Sequence, residues 1–263
     1  MNLGKIIALG GKKINKALAM HYLSETESEP TIDSYVHDSA TLFLDGVWNA
    51  AQGEHSDTLT AWVDLSGHCQ PTPLGSGNTI EENCVKSNGT NDGRMTVPDV
   101  APVELPQFTI ELVFRKDTDN MNNQVIAGRD YTKSYYVNTS KGLLSCWVGK
   151  SSNTIGNIML ETGGIYSFQL THTGAAFNLF FNGQKIIDSK ANTILSDTAK
   201  LNLFGYVGNN TTFEGSLFAV RIHRRALTDA EIQKNYQIDK RRFELTDITA
   251  TAVQESVLDI DEI

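Results

Sequence analysis

The sequence predicts an all-β chain, a two-sheet antiparallel sandwich of jelly-roll type. A short N-terminal helical arm and one short helix near the C-terminal end complete the expectation. Three observations carry it. Apolar and polar residues alternate over several short segments, an Asn-Gly pair joins two of these, and no proline follows Pro106 in the 263 residues. Alternation is the mark of a strand with one face on a core. Asn-Gly suits a two-residue hairpin because both positions tolerate positive φ. A proline-free stretch leaves every strand its full set of ladder donors.

The elements follow in chain order. Residues 12–23 predict a helix, with Ile14, Ala17, Leu18 and Tyr22 on one face and Gly10 and Gly11 opposing extension toward the start. At twelve residues it needs a surface to dock on. The acidic, Pro-terminated 24–30 reads as a linker. Thr41–Leu44 is a short apolar run. Phe108, Ile110, Leu112 and Phe114 alternate with Thr109, Glu111 and Val113. Tyr166, Phe168 and Leu170 alternate with Ser167, Gln169 and Thr171. Phe177, Leu179 and Phe181 run into Asn182-Gly183, and 184–187 returns. Weaker strands are 124–127, 143–148, 201–204 and 217–222. The last helix has Thr228 as N-cap with Glu231 three residues on, a capping box. Leu227 and Ile232 form the matching staple, Tyr236 extends the apolar stripe, and Lys240, Arg241 and Arg242 meet the negative end of the dipole. This divides the chain into an arm and linker (1–33), a sandwich (34–243) and an acidic tail (244–263).

Hydrophobic residues are 40% of the chain, enough for a sizeable core. The formal net charge is −9, which argues against a nucleic-acid partner read through its phosphates. Charge is uneven: Lys5, Lys12, Lys13 and Lys16 lie in residues 1–23, whereas 244–263 hold only acids. The basic arm is modestly apolar, so membrane contact is not expected. No stretch of 18 apolar residues occurs and the start lacks a signal-peptide pattern, so the expected site of synthesis is the cytoplasm. The three cysteines, Cys69, Cys84 and Cys146, make no complete disulfide framework, though a Cys69–Cys84 pair stays open.

Residues 213–236, FEGSLFAVRIHRRALTDAEIQKNY, resemble the terminal signature of laminin G-like domains, with Gly215, Arg221, Ile222, Arg225, Ala226, Leu227, Thr228, Glu231 and Ile232 at its positions. Residues 164–186 resemble the central hairpin of that family, 85–99 its early strand pair and 108–115 its first long core strand. The segment 61–69, AWVDLSGHC, is similar to the entry segment of bacterial and phage members. The resemblance spans about residues 35–243. It implies a concanavalin A-like fold of the lectin/glucanase superfamily, as in structural proteins of bacteriophages and prophages. The fold itself hosts many functions.

Glucanases of the superfamily place paired carboxylates on one strand face. Here Glu111 is a lone acid, expected as a solvated strand residue, and Asp117 and Asp119 follow in a loop. His172 and His223 read as hydrogen-bonded structural histidines. No zinc spacing, P-loop or nucleophile elbow is present. The expectation is therefore no catalytic residue and no enzyme activity. The resemblance implies that Ca²⁺ is a possible cofactor, and Asn88, Asn91 and Asp92 are the best oxygen cluster. The same cluster reads more readily as a turn rich in Asn, Asp and Gly. Candidate sugar-binding residues are Arg129, Asp130, Tyr131, Tyr135 and Tyr136 with Asn209 and Asn210. Tyr135 and Tyr136 read equally as half-buried strand residues. Trp62 and Trp147 are expected in the core, and Trp48 stays open. The resulting expectation is a lectin-like protein displayed on a virion, anchored by its arm, with a cell-surface glycan or virion protein as partner and a homo-oligomeric or larger assembly. The alternatives are a decoration or connector protein without a glycan ligand, and a glycan-active enzyme.

Overall fold

The computed structural model describes residues 29–98, 107–120, 122–130, 133–149, 151–153, 158–195, 199–206 and 211–247. The predicted arm helix and the tail beyond residue 247 lie outside them.

The strands are β1 (Ala40–Asp45), β2 (Ala61–Trp62), β3 (Thr72–Pro73), β4 (Asn78–Glu81), β5 (Cys84–Asn88), β6 (Met95–Thr96), β7 (Phe108–Lys116) and β8 (Gln124–Gly128). They continue as β9 (Tyr135–Ser140), β10 (Leu143–Val148), β11 (Ser151–Asn153), β12 (Ile165–His172), β13 (Ala176–Phe181), β14 (Gln184–Ala191), β15 (Asn202–Leu203) and β16 (Glu214–His223). One α-helix, α1 (Asp229–Phe243), follows.

An eight-stranded sheet runs β14-β13-β12-β7-β16-β5-β4, with β1 also on β16. A six-stranded sheet runs β11-β10-β9-β8-β15-β6. Every pairing is antiparallel. The two sheets close over one core. The larger contributes Phe108, Ile110, Leu112, Phe114, Phe168, Leu170, Phe177, Leu179 and Phe181. The smaller contributes Met95, Ile126, Tyr135, Val137, Leu144, Cys146 and Leu203. The predicted alternation of β7 and β12 thus points the expected residues inward.

Their other faces are also buried, because α1 lies on the outside of the eight-stranded sheet. Tyr236 and Phe243 pack with Val113 and Phe218, and Ile232 packs with Phe180 and Leu227. This layer corrects the expectation for Glu111: it is only 1% exposed. The helix begins as predicted. The Thr228 hydroxyl accepts from the Glu231 amide at 3.3 Å, and the Glu231 carboxylate accepts from the Thr228 amide at 2.8 Å. The hairpin below it matches the sequence too, with φ of 44° at Asn182 and 74° at Gly183. Glycine is needed at 183 for a second reason: a Cβ there would sit 2.4 Å from the Tyr236 ring. Past the helix, the Thr246 amide donates to the Ile165 carbonyl at 2.8 Å, and the Ile165 amide donates back to the Thr246 hydroxyl at 2.9 Å.

Candidate functional site

Three places in the fold gather polar side chains: the interface under α1, the glycine-rich turns around β5, and the outer face of the six-stranded sheet.

Under α1 sits a sealed ionic network. Arg221 of β16 donates to both carboxylate oxygens of Asp239 of α1, at 3.1 Å through Nη1. Its Nε lies 3.5 Å from Glu111. Glu111 also accepts from Asn235 Nδ2 at 2.8 Å and lies 2.9 Å from His223 Nε2. Tyr35 donates its hydroxyl to Asp239 at 2.9 Å and accepts from Arg242 at 2.8 Å. Arg242 then grips both oxygens of Asp45 at 2.7 and 2.9 Å and lies 3.9 Å from the centre of the Trp48 ring. Burial alone would raise the Glu111 carboxyl; Arg221, with hydrogen bonds from His223 and Asn235, outweighs it and holds the group below the usual range. Both side chains of the Glu111–Arg221 pair are fully buried, so no substrate reaches them. The network fixes the helix. It also explains the sequence signature, whose Arg221 pairs with Asp239 and whose Arg225 grips Glu231 at 2.8 and 2.7 Å.

Around β5 the candidate calcium ligands serve the turn. Asn88 Oδ1 accepts from the Thr90 amide at 3.0 Å and the Thr90 hydroxyl at 2.8 Å, and the Asp92 carbonyl accepts from the Gly77 amide at 3.0 Å. Asn91 opens a single 3-10 turn. Among the described residues no group of three or more His, Cys, Asp or Glu could hold a metal. Asp64 plays a similar part in the AWVDLSGHC segment. Its carboxylate accepts from the amides of Phe43 (2.7 Å), Ser66 (3.0 Å), His68 (3.0 Å) and Cys69 (2.9 Å), which folds that loop onto β1.

The outer face of the six-stranded sheet differs, because its polar and aromatic groups form a continuous row. Trp147 pairs with Tyr136, Tyr136 with Gly128, Gly128 with Asn202, and Asn202 with Thr96. Their chain neighbours Cys146, Tyr135, Ala127, Leu203 and Met95 point into the core, so this row faces away from it. Gly128 makes the row possible: a Cβ would lie 2.9 Å from Tyr136 Cδ2, so only glycine lets that ring cross the sheet. The Tyr206 ring stands edge-on to Tyr136, centroids 5.7 Å apart. Phe204 holds a φ of 58° and drops its ring into the core while the chain turns outward to Tyr206. A bulky residue in that left-handed region carries strain, which the surrounding packing must sustain. Beside the row, Asn138 of β9 donates to Asn123 Oδ1 at 2.6 Å, and its own Oδ1 has no hydrogen-bond partner among the described residues. Tyr136, Asn138 and Asn202 are buried supports; Trp147, Tyr206, Thr96 and Arg94 are half-buried and form the reachable surface.

Two of the sugar-binding residues expected from the sequence are fully buried. Tyr135 is fully buried and its ring stacks on Phe108 with centroids 5.3 Å apart, because strand alternation turns it inward. Arg129 is likewise fully buried at the end of β8. Asp130 is half-buried, with its carboxylate 3.4 Å from the Lys133 ammonium and its carbonyl closing the turn to Ser134. Tyr131, Asn209 and Asn210 lie outside the described residues. Trp62 is in the core as expected, whereas Trp147 is half-buried on the outer face. Of the outer row only Tyr136 was a candidate from the sequence; the rest escaped because its members come from strands far apart in the chain. The Tyr136 and Trp147 parities, opposite to Tyr135 and Cys146, were its one local signal.

A laminin G family model, described as concanavalin A-like lectin/glucanases superfamily, matches residues 88–233. No curated protein matches the sequence. Among solved structures, Trypanosoma rangeli sialidase in complex with sialic acid aligns with a TM-score of 0.60 at 16% identity, covering 82% of this chain and 34% of that one. The binding domain of Paraclostridial Mosquitocidal Protein 1 gives 0.57 at 15% identity, covering 76% and 52%. The binding domain of botulinum neurotoxin serotype D gives 0.59 at 13% identity, covering 77% and 52%. The chain thus spans a third of the sialidase and half of each toxin structure, and the likeness is one of fold. The family match covers more than half of the 263 residues: the chain belongs to the concanavalin A-like lectin/glucanases superfamily.

Proposed function

We propose that the chain is a non-catalytic glycan-binding sandwich that holds its ligand on the outer face of the six-stranded sheet. The row Trp147–Tyr136–Gly128–Asn202–Thr96, capped by Tyr206, carries this reading. Saccharides present apolar C–H faces and hydroxyl edges together. Half-buried aromatic rings serve the first and neighbouring amides and hydroxyls the second, a pairing typical of small-ligand sites. The fold match to toxin binding domains and a sialic-acid-bound sialidase is consistent with it. A glycan microarray probed with the full chain tests the proposal. Wild type is expected to bind, and Trp147→Ala to lose tenfold or more in affinity with an unchanged circular dichroism spectrum. Silence of the wild type across the array, or full binding by the variant, overturns it.

The setting we propose is a phage or prophage particle, supported by the similarity of residues 61–69 to phage members of the family. Portal, capsid or tail genes beside the coding gene are the expected finding; a neighbourhood of unrelated metabolic genes sinks this setting and leaves the glycan site standing.

A further inference from the structure

We infer that the ligand of this face carries an anionic group, a carboxylate or sulfate on an acidic saccharide, and that Arg94 receives it. This rests on the glycan-binding reading above. Arg94 precedes β6 and lies at the Tyr206 end of the aromatic row. Its stem packs against Gly205, where a Cβ would come within 2.5 Å of Arg94 Cγ. Its guanidinium is held by two backbone carbonyls, Tyr206 O at 3.0 Å from Nη1 and Asn91 O at 3.4 Å from Nε. Carbonyl oxygens fix a guanidinium in place without neutralising it. No carboxylate of the described residues forms an ion pair with Arg94, although Asp92, two residues before it, is exposed.

A guanidinium has five N–H donors in a planar fork, and two of these are used. The remaining Nη1 and Nη2 hydrogens are those that bind a carboxylate or sulfate through two parallel bonds. Because the carbonyl of Tyr206 holds Nη1 and the Tyr206 ring meets Tyr136, one short segment ties the cation to the aromatic floor. A sugar stacked over that floor would place an acidic substituent at its rim against Arg94. In a chain whose formal net charge is −9, a cation that no carboxylate of the described residues neutralises gives this aromatic surface a local positive potential.

The test is a microarray carrying neutral, uronic-acid-containing, sialylated and sulfated glycans, probed with full-length wild type, Arg94→Gln, Arg94→Lys and Trp147→Ala. Wild type is expected to bind acidic members, with tenfold or greater loss for Arg94→Gln, partial retention for Arg94→Lys and weakening at 500 mM salt. Trp147→Ala is expected to weaken binding too. Wild-type binding confined to neutral glycans, or acidic binding that Arg94→Gln leaves intact, overturns the role of Arg94 while the glycan-binding reading survives. No wild-type binding anywhere overturns both. Circular dichroism of Arg94→Gln establishes that a loss is not unfolding.

Discussion

Arg221 shows how a single side chain decides the outcome in this fold. It lies fully buried between Asp239 and Glu111, with the Tyr35 ring 4.6 Å from its guanidinium carbon. A buried ion pair contributes little over a well-packed apolar pair, yet removing one partner strands an uncompensated charge. Asp239→Ala is therefore expected to lower stability by about 3–5 kcal/mol in urea unfolding, with an unchanged m-value. A loss under about 1 kcal/mol, the scale of an exposed pair, would mean that water reaches the network. Tyr35→Phe deletes only the hydroxyl between Asp239 and Arg242 and should cost less. The contrast with Arg94 is one of countercharge: Arg221 is matched and sealed, whereas half-buried Arg94 has no carboxylate partner among the described residues.

The helix is the element most fully specified by local sequence. Its capping box and the Leu227–Ile232 staple both form, because each needs only residues a few positions apart. Thr228→Ala should cost about 1 kcal/mol, read as a lowered urea midpoint. The Glu231 carboxyl, hydrogen-bonded first by Arg225 and then by Thr228, is lowered to about 2. A depressed acid contributes its stabilisation above its unfolded value and loses it as pH falls toward the folded one. Stability should therefore drop from roughly pH 4.3, the unfolded value, down to about 2, and Glu231→Gln should flatten that part of the curve. An unchanged acid limb in the variant would assign the loss to other carboxylates such as Glu111. The Asn182-Gly183 turn and the strands on either side were legible for the same local reason. Strand β9 was not: Tyr135 and Tyr136 looked alike as surface aromatics, and only the position of the second sheet tells that one is core and the other floor. Glu111 misled in a related way, since nothing within 108–114 reveals that a helix more than a hundred residues later will cover it.

At the scale of the molecule, three layers share two apolar interfaces, and two cysteines report on them separately. Cys146 lies fully buried between the sheets, and Cys84 fully buried between the eight-stranded sheet and the helix layer. Burial pushes the Cys84 thiol up to about 12 and Cys146 further still, so neither supplies thiolate in the folded chain near neutral pH. Cys69, half-buried and donating to the Thr41 carbonyl, is the reachable one. Titration of the native protein with a disulfide reagent should label Cys69 first and leave Cys84 and Cys146 until unfolding. If the ionic network locks α1 to the sheet as tightly as the sheets hold each other, both buried thiols appear together across a urea series. Asp239→Ala should split them, exposing Cys84 at lower urea than Cys146, because it loosens only the outer layer. Simultaneous exposure in that variant would show that the helix and the sandwich unfold as one unit, and that Arg221 stabilises the whole rather than its own interface.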